Sequence, residues 1–361
     1  MKKLVFAALT IAAMAACTKS NVQYEQPGEI AFQPVAQKAT KATTSVGNAY
    51  PEAEKFNVWA WWVSADAGHM DYPTLSNGYT KYIEEGTFAK KENTWGGWDL
   101  SEDKSKPYYW PTTGSLFFAG YSPATASGTY NYTLETQTLI ITKYKQSNEL
   151  EYTKDLMWFD VTEKSYDQND AALNGVPVKF RHALSWLTFK FNLKDENTEK
   201  LWTITKAELQ NIETEADFTA ERGQNPIWTV VPETSKNITV FEGEHLLEYS
   251  SDGTVLEGNG VASAMTGDVL VIPQSCTAAE VDASGEVTKA AAAQLVITYD
   301  LSTQAGTTLE DQTVTLPVNT IDDKWLDGKH YIYTIIFGAN EILIAPTVAD
   351  WGVEYVNVPV E

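Results

Sequence analysis

Phe56-Asn57-Val58-Trp59-Ala60-Trp61-Trp62-Val63 is the stretch that decides the fold. Its residues are aromatic, β-branched or small, the types that fit a pleated, buried surface. In an extended strand successive side chains point to opposite faces, so Trp59 and Trp61 share one face while Trp62 joins Phe56 and Val58 on the other. One face must be core, and the second needs a neighbouring strand or subunit to cover it. The same character returns in Leu139–Thr142, Leu187–Leu193, Leu295–Tyr299 and Tyr331–Ile336. Clusters of Gly, Asn, Asp, Ser and Pro punctuate these runs. No long segment holds a 3.6-residue period, and the best helical candidate, Thr288–Gln294, is short. Many short strands between regular turns predict an all-β fold of sandwiches or barrels.

The start of the chain reads differently. Met1, Lys2 and Lys3 precede an apolar run, Leu4–Ala13, too short to span a bilayer, and Met14-Ala15-Ala16-Cys17 places small residues before a cysteine. This pattern predicts a cleaved export signal over 1–16, of the kind a lipoprotein signal peptidase removes, with the lipid on Cys17. No later stretch is apolar enough to cross a membrane as a helix, which leaves the lipid as the expected anchor. Removing residues 1–16 leaves 345 residues and takes the formal charge from −22 to −24, because Lys2 and Lys3 are lost. Such an acidic chain is repelled by phosphate backbones, so nucleic acid is excluded as a partner. With Cys17 lipidated, Cys276 has no disulfide partner, and stability must come from packing.

The length predicts two domains. The polar, turn-rich stretch Lys164–Pro177 places the boundary, giving a leader over 17–41, a first β-domain over 42–170 and a second over 171–361. The search for catalytic chemistry is nearly empty. The four histidines, His69, His182, His245 and His330, show no metal-ligand spacing, and no nucleophile elbow, phosphate loop or dinucleotide fingerprint occurs. Cys276 follows an apolar strand and reads as a structural thiol. Asp167-Gln168-Asn169-Asp170 offers oxygen ligands without the pattern of a calcium loop. We expect no enzyme and no cofactor. Trp59, Trp61, Trp95 and Trp98 form the one candidate binding set, as platforms on which sugar rings stack, against the simpler reading of core packing.

Four further segments carry a resemblance. Pro107–Pro123, containing Tyr108-Tyr109-Trp110-Pro111 and Phe117-Phe118-Ala119-Gly120-Tyr121, is similar to a stretch of the Bacteroidetes fimbrillins, with Gly120 as an extra residue. Phe180–Phe191 resembles their second motif, Leu270-Val271-Ile272-Pro273-Gln274 a third, and Trp325–Tyr333 followed by Val348–Trp351 a fourth. The resemblance implies two tandem transthyretin-like β-sandwiches and a fimbrial subunit that reaches the outer membrane as a lipoprotein. It further implies that a trypsin-like protease cuts after a basic residue beyond the first strand. The strand is then lost, and a terminal segment of the next subunit fills the groove. Partners would be other pilus subunits, and a surface ligand for an adhesive member.

The residues accommodate these expectations with one departure. Glu29–Val35 alternates, with Ile30 and Phe32 on one face, and is a candidate removable strand. Lys38 and Lys41 follow in a small, polar, protease-accessible stretch, where the family pattern has arginine. At the other end Val356, Val358 and Val360 share one face of a strand and are donor candidates, or simply part of the last strand of the second domain. Two functional readings follow: a self-associating structural pilin, or a surface adhesin or glycan-binding lipoprotein using the tryptophan-rich first domain.

Overall fold

The computed structural model describes residues 28–36, 50–64, 78–91, 94–96, 107–147, 154–165, 175–195, 199–250, 253–254, 268–277, 280–281, 287–289, 292–303, 306, 308–320, 322–338 and 341–350. Every regular element among them is a strand. The first nine are β1 (Phe32–Ala36), β2 (Phe56–Val63), β3 (Tyr79–Lys91), β4 (Thr94–Gly96), β5 (Ser115–Ser122), β6 (Thr129–Thr133), β7 (Thr138–Lys145), β8 (Met157–Ser165) and β9 (Val176–His182). Next come β10 (Ser185–Leu193), β11 (Lys200–Glu213), β12 (Glu215–Glu221), β13 (Ile227–Val230), β14 (Ser235–Leu246) and β15 (Asp268–Val271). The last six are β16 (Glu280–Val281), β17 (Val287–Lys289), β18 (Gln294–Thr303), β19 (Thr308–Pro317), β20 (Lys329–Phe337) and β21 (Ile342–Asp350). The best helical candidate, Thr288–Gln294, is not helical in its described part, which holds the end of β17 and the start of β18.

Seven strands close a barrel in the order β1-β4-β3-β2-β5-β8-β9, with β9 returning to β1 in parallel. A sheet of order β13-β12-β7-β6 packs on the outside of β2 and β5. This explains the opening stretch: β2 is buried on both faces. Phe56, Val58 and Ala60 line the barrel interior, while Trp59, Trp61 and Val63 pack against Tyr132, Leu139 and Ile141. On β5, Gly120 lies where a Cβ would come within 2.4 Å of both the Asn57 carbonyl and the Phe159 ring, so the extra glycine leaves room for Phe159.

The second unit is a sandwich of two four-stranded sheets, β15-β10-β20-β21 and β14-β11-β18-β19. Phe189, Phe191, Trp202, Leu295, Trp325 and Tyr333 fill its core. Trp325 Nε1 donates to the Tyr333 hydroxyl at 2.7 Å, and that hydroxyl donates to the Val318 carbonyl at 2.8 Å, so both buried polar atoms are satisfied.

One segment strings the cores together. Val176, Val178 and Phe180 enter the barrel core, Ala183 and Leu184 enter the layer between barrel and outer sheet, and Leu187, Phe189 and Phe191 enter the second sandwich. The Leu270–Gln274 motif acts similarly. Val269 and Val271 face the second core, Ile272 faces the middle layer, and the Gln274 side chain accepts from Glu213 N at 2.9 Å and donates to Glu213 O at 3.1 Å. The expected boundary at residue 170 falls between β8 and β9. Beyond it, β9 pairs into the barrel and β12 pairs with β7, so the first unit draws strands from both sides of that point.

Candidate assembly groove

The feature of the barrel that differs from an ordinary β-core is its first strand. β1 has five residues, and its burial alternates: Phe32, Pro34 and Ala36 inward, Gln33 and Val35 outward. Ile30 precedes it on the inward face and is fully buried, as is Phe32. The Phe32 ring lies edge-on to Phe88, Phe118 and Phe56 at centroid separations of 4.6, 5.3 and 5.6 Å. Edge-to-face contacts of this kind add to the burial of apolar area. Phe180 completes the socket from β9, 5.1 Å from Phe159 and 5.4 Å from Phe56.

The backbone of β1 is held mainly from one side. Phe32–Ala36 pair in parallel with Val176–Phe180, and on the opposite side, among the described residues, only Phe32 is paired, with Trp95 of β4. Before the strand, Ile30 N donates to Tyr108 O at 2.7 Å, and Trp110 N donates to Gly28 O at 3.0 Å. Gly175 has a φ of +82°, and a Cβ there would sit 3.1 Å from the Phe32 carbonyl carbon. A larger residue would be strained by that backbone and would press on β1. At the rim, Lys91 reaches Glu29 at 3.4 Å, an exposed pair that contributes little.

Past Ala36, residues 37–49 lead to Tyr50, which is buried against Phe56 and Phe180 and hydrogen-bonded to Ser122. Burial is the main reason its phenol is pushed well above the usual tyrosine range. The segment carrying Lys38 and Lys41 is thus bracketed by two anchored points. Chemically the socket is a slot for an extended chain with an apolar side chain at every second position.

A family model for fimbrillin-like proteins matches residues 40–351. The chain belongs to the fimbrillin-like family. Membership places it among structural proteins of fimbriae rather than enzymes. Its fold is similar to that of a fimbrial protein from Bacteroides vulgatus, with a TM-score of 0.57 at 14% identity over 90% of this chain and 99% of that one. It is also similar to a protein from Bacteroides ovatus described as a "putative cell adhesion protein", with a TM-score of 0.51 at 13% identity over 91% and 99% of the two chains. No curated protein matches the chain.

In this fimbrillin the residues singled out from sequence fall into three groups. Ile30 and Phe32 are both buried on the inward face of the barrel, the shared face their alternation implied. Trp59 and Trp61 are 4% and 3% exposed, covered by the sheet that contains β6 and β7, and so are not available to stack on sugar rings. The sequence showed two apolar faces on β2 and could not show that the chain itself supplies the cover for the second. Trp95 lies on β4, opposite Phe32 and Lys90. Cys17, Lys38, Lys41, Trp98, Asp167–Asp170, Val356, Val358 and Val360 lie outside the described residues. Cys276 is fully buried with its thiol 3.7 Å from Thr320 Oγ1, and burial pushes its pKa up, away from the reactive thiolate.

Sequence reasoning missed Tyr50, Phe88 and Gly175 as parts of the socket. Tyr50 and Phe88 carry no motif, and Gly175 looked like turn punctuation. Only its position directly before the alternating run Val176–Phe180 could have marked it.

Proposed function

We propose that this fimbrillin is a structural subunit of a fimbrium that joins its neighbour by strand exchange at the cell surface, supporting adhesion. In this reading the precursor is exported as a lipoprotein on Cys17 and held at the outer membrane by that lipid. A protease then cuts after Lys41 or Lys38, β1 leaves, and an extended segment of the next subunit takes its place. The observation that carries the reading is Phe32. It is a fully buried aromatic plug on a five-residue strand that, among the described residues, pairs along its length with β9 and meets β4 at Phe32 alone.

Magnitudes support exchange once the chain is cut. Burying Ile30 and Phe32 contributes about 1.5–3 kcal/mol each, and the ladder adds about 0.5–1.5 kcal/mol per net hydrogen bond. While β1 is covalently attached, these gains face only local ordering. A cut peptide must also meet an association cost of about 4–15 kcal/mol at 1 M standard state. The terms become comparable, so β1 turns from a fixed strand into a replaceable ligand. The groove it leaves exposes Phe56, Phe88 and Phe118 together with unpaired backbone groups, which favours strand addition.

The donated segment is assigned to the C-terminal end, with Val356, Val358 and Val360 facing the socket. Support comes from spacing, because the strand leading into it repeats the pattern of β1. Ile342, Ile344, Pro346 and Val348 correspond in order to Ile30, Phe32, Pro34 and Ala36.

The test is to nick the chain from Thr18 onward with trypsin, locate the cut by N-terminal sequencing, and run the product unboiled on a denaturing gel. A cut after Lys38 or Lys41 with a ladder of denaturant-resistant multimers is expected. Deleting residues 353–361 should leave a folded monomer that no longer assembles. A clean cut that yields monomer alone overturns strand exchange, and unchanged assembly by the truncated chain overturns the donor assignment.

A further inference from the structure

β9 is held in the barrel by the strand that the proposed function removes. Among the described residues, Val176–Phe180 pair with β1, whereas β8 meets β9 only at Arg181 and His182. Val176 N also donates to Ala31 O at 2.7 Å, so the first contact of β9 is again with the β1 segment. We infer that departure of β1 frees Val176–Lys179 as well, so that the acceptor surface of a processed subunit is a gap two strands wide. An incoming strand closes it by pairing parallel to β9. This inference rests on the strand-exchange reading above.

The physical argument concerns what remains when β1 is gone. The backbone groups of Val176–Phe180 that face β1 lose their partners, and buried unpaired amide and carbonyl groups are costly. Water satisfies them only if the segment moves outward. The far end of β9 is fixed independently. Phe180 packs on Phe56, Phe159 and Tyr50, and His182 Nδ1 lies 2.6 Å from Asp155 Oδ2 with both side chains buried. Past His182, Ala183 and Leu184 sit in the middle layer. Release therefore has a hinge at Phe180–His182 and is greatest at Val176–Val178, which leaves the second sandwich in place.

The same geometry describes the partner. It is an extended strand, parallel to β9, with apolar residues at alternate positions that grow more compact along its length: a large pair matching Ile30 and Phe32, then residues matching Pro34 and Ala36. Parallel ladders use evenly spaced, slanted hydrogen bonds and are slightly weaker per residue than antiparallel ones. The side-chain plugs must then supply much of the binding, and β9 orders only as they seat.

Hydrogen exchange with mass spectrometry tests this on the chain from Thr18 onward and on its Phe32→Glu and Phe32→Ala variants. Peptides covering 28–36 and 175–180 should lose protection together in Phe32→Glu, exchanging at least about tenfold faster. Peptides covering 115–122 and 185–193 should stay protected. A synthetic peptide of residues 28–36 should restore protection at 175–180, and a scrambled peptide should not. If Phe32→Glu also exposes 185–193, the milder Phe32→Ala supplies the comparison. Loss at 28–36 with full protection at 175–180 overturns the inference about β9 alone. Full protection of 28–36 in both variants overturns the reading that β1 is separable, and with it the inference.

Discussion

The first and last described strands are held in place by opposite means. β1 is short and, among the described residues, paired along its length on one side with a single pair on the other, and its inward residues are buried in an aromatic socket. β21 forms nine consecutive pairs with β20, from Phe337↔Ile342 to Lys329↔Asp350, yet most of its side chains face solvent. Leu343 and Val348 are 45% and 52% exposed, and only Ile342 and Ile344 pack on the second core. β1 is a plug and β21 is a ladder. A plug is displaced by anything that fills its socket better, whereas a ladder offers backbone and an apolar face at a sheet edge. That contrast suits the strand exchange proposed above.

Substitutions can break this comparison. The largest effect is expected for Phe32→Ala, which should cost about 3–5 kcal/mol of unfolding free energy, as large core truncations do. Chemical denaturation monitored by tryptophan fluorescence measures it. Gly175→Ala should follow at about 1–3 kcal/mol, from left-handed backbone strain and pressure on the β1 backbone. The part of the cost that comes from pressure on β1 should vanish in a chain that has already lost β1. Tyr50→Phe should cost about 0.5–1.5 kcal/mol at neutral pH through its hydrogen bond to Ser122. Val348→Ala, on the exposed part of β21, should stay within about 0.5 kcal/mol. A Val348→Ala cost equal to that of Phe32→Ala would remove the distinction between plug and ladder.

The pH dependence sharpens the same contrast. Burial raises the pKa of Tyr50 above its ordinary value of 10.0, so the folded state holds that proton more tightly than the unfolded chain. Its contribution to stability is complete below pH 10 and is lost as pH rises beyond it. Tyr333 in the second core behaves alike. Denaturation midpoints measured from pH 8 to 12 should fall above pH 10, and Tyr50→Phe should flatten that fall. An unchanged slope in Tyr50→Phe would contradict the assigned burial.

Much of the fold was legible because periodicity reports which faces are apolar. The strand at Phe56–Val63, the alternation around Ile30 and Phe32, and the motifs at Phe180–Phe191 and Leu270–Gln274 all form strands or joints between cores. What covers a face is a long-range fact that periodicity does not contain. Trp59 and Trp61 read equally well as a sugar platform and as core until the outer sheet is seen to lie on them. The assignment of strands to units was hidden for the same reason. Turn-rich composition at Lys164–Pro177 marks a break in regular structure, but β9 beyond it returns to β1, more than a hundred residues earlier in the chain. Parallel pairing at that separation leaves no local signal. Tyr50 and Phe88 joined the socket unannounced because single aromatic residues carry no motif.

The most direct test of the central claim locks the plug in place. Gln33 of β1 and Pro177 of β9 are paired and both exposed. Cysteines at adjacent paired positions fall within bridging range, and Cys276 is buried away from them. The Gln33→Cys/Pro177→Cys chain, from Thr18 onward, is oxidised, nicked with trypsin and run unboiled on a denaturing gel, with and without a reductant. The account predicts monomer while the bridge is closed and a multimer ladder once it is reduced. Equal ladders in both lanes would show that assembly proceeds with β1 still seated, and would contradict it.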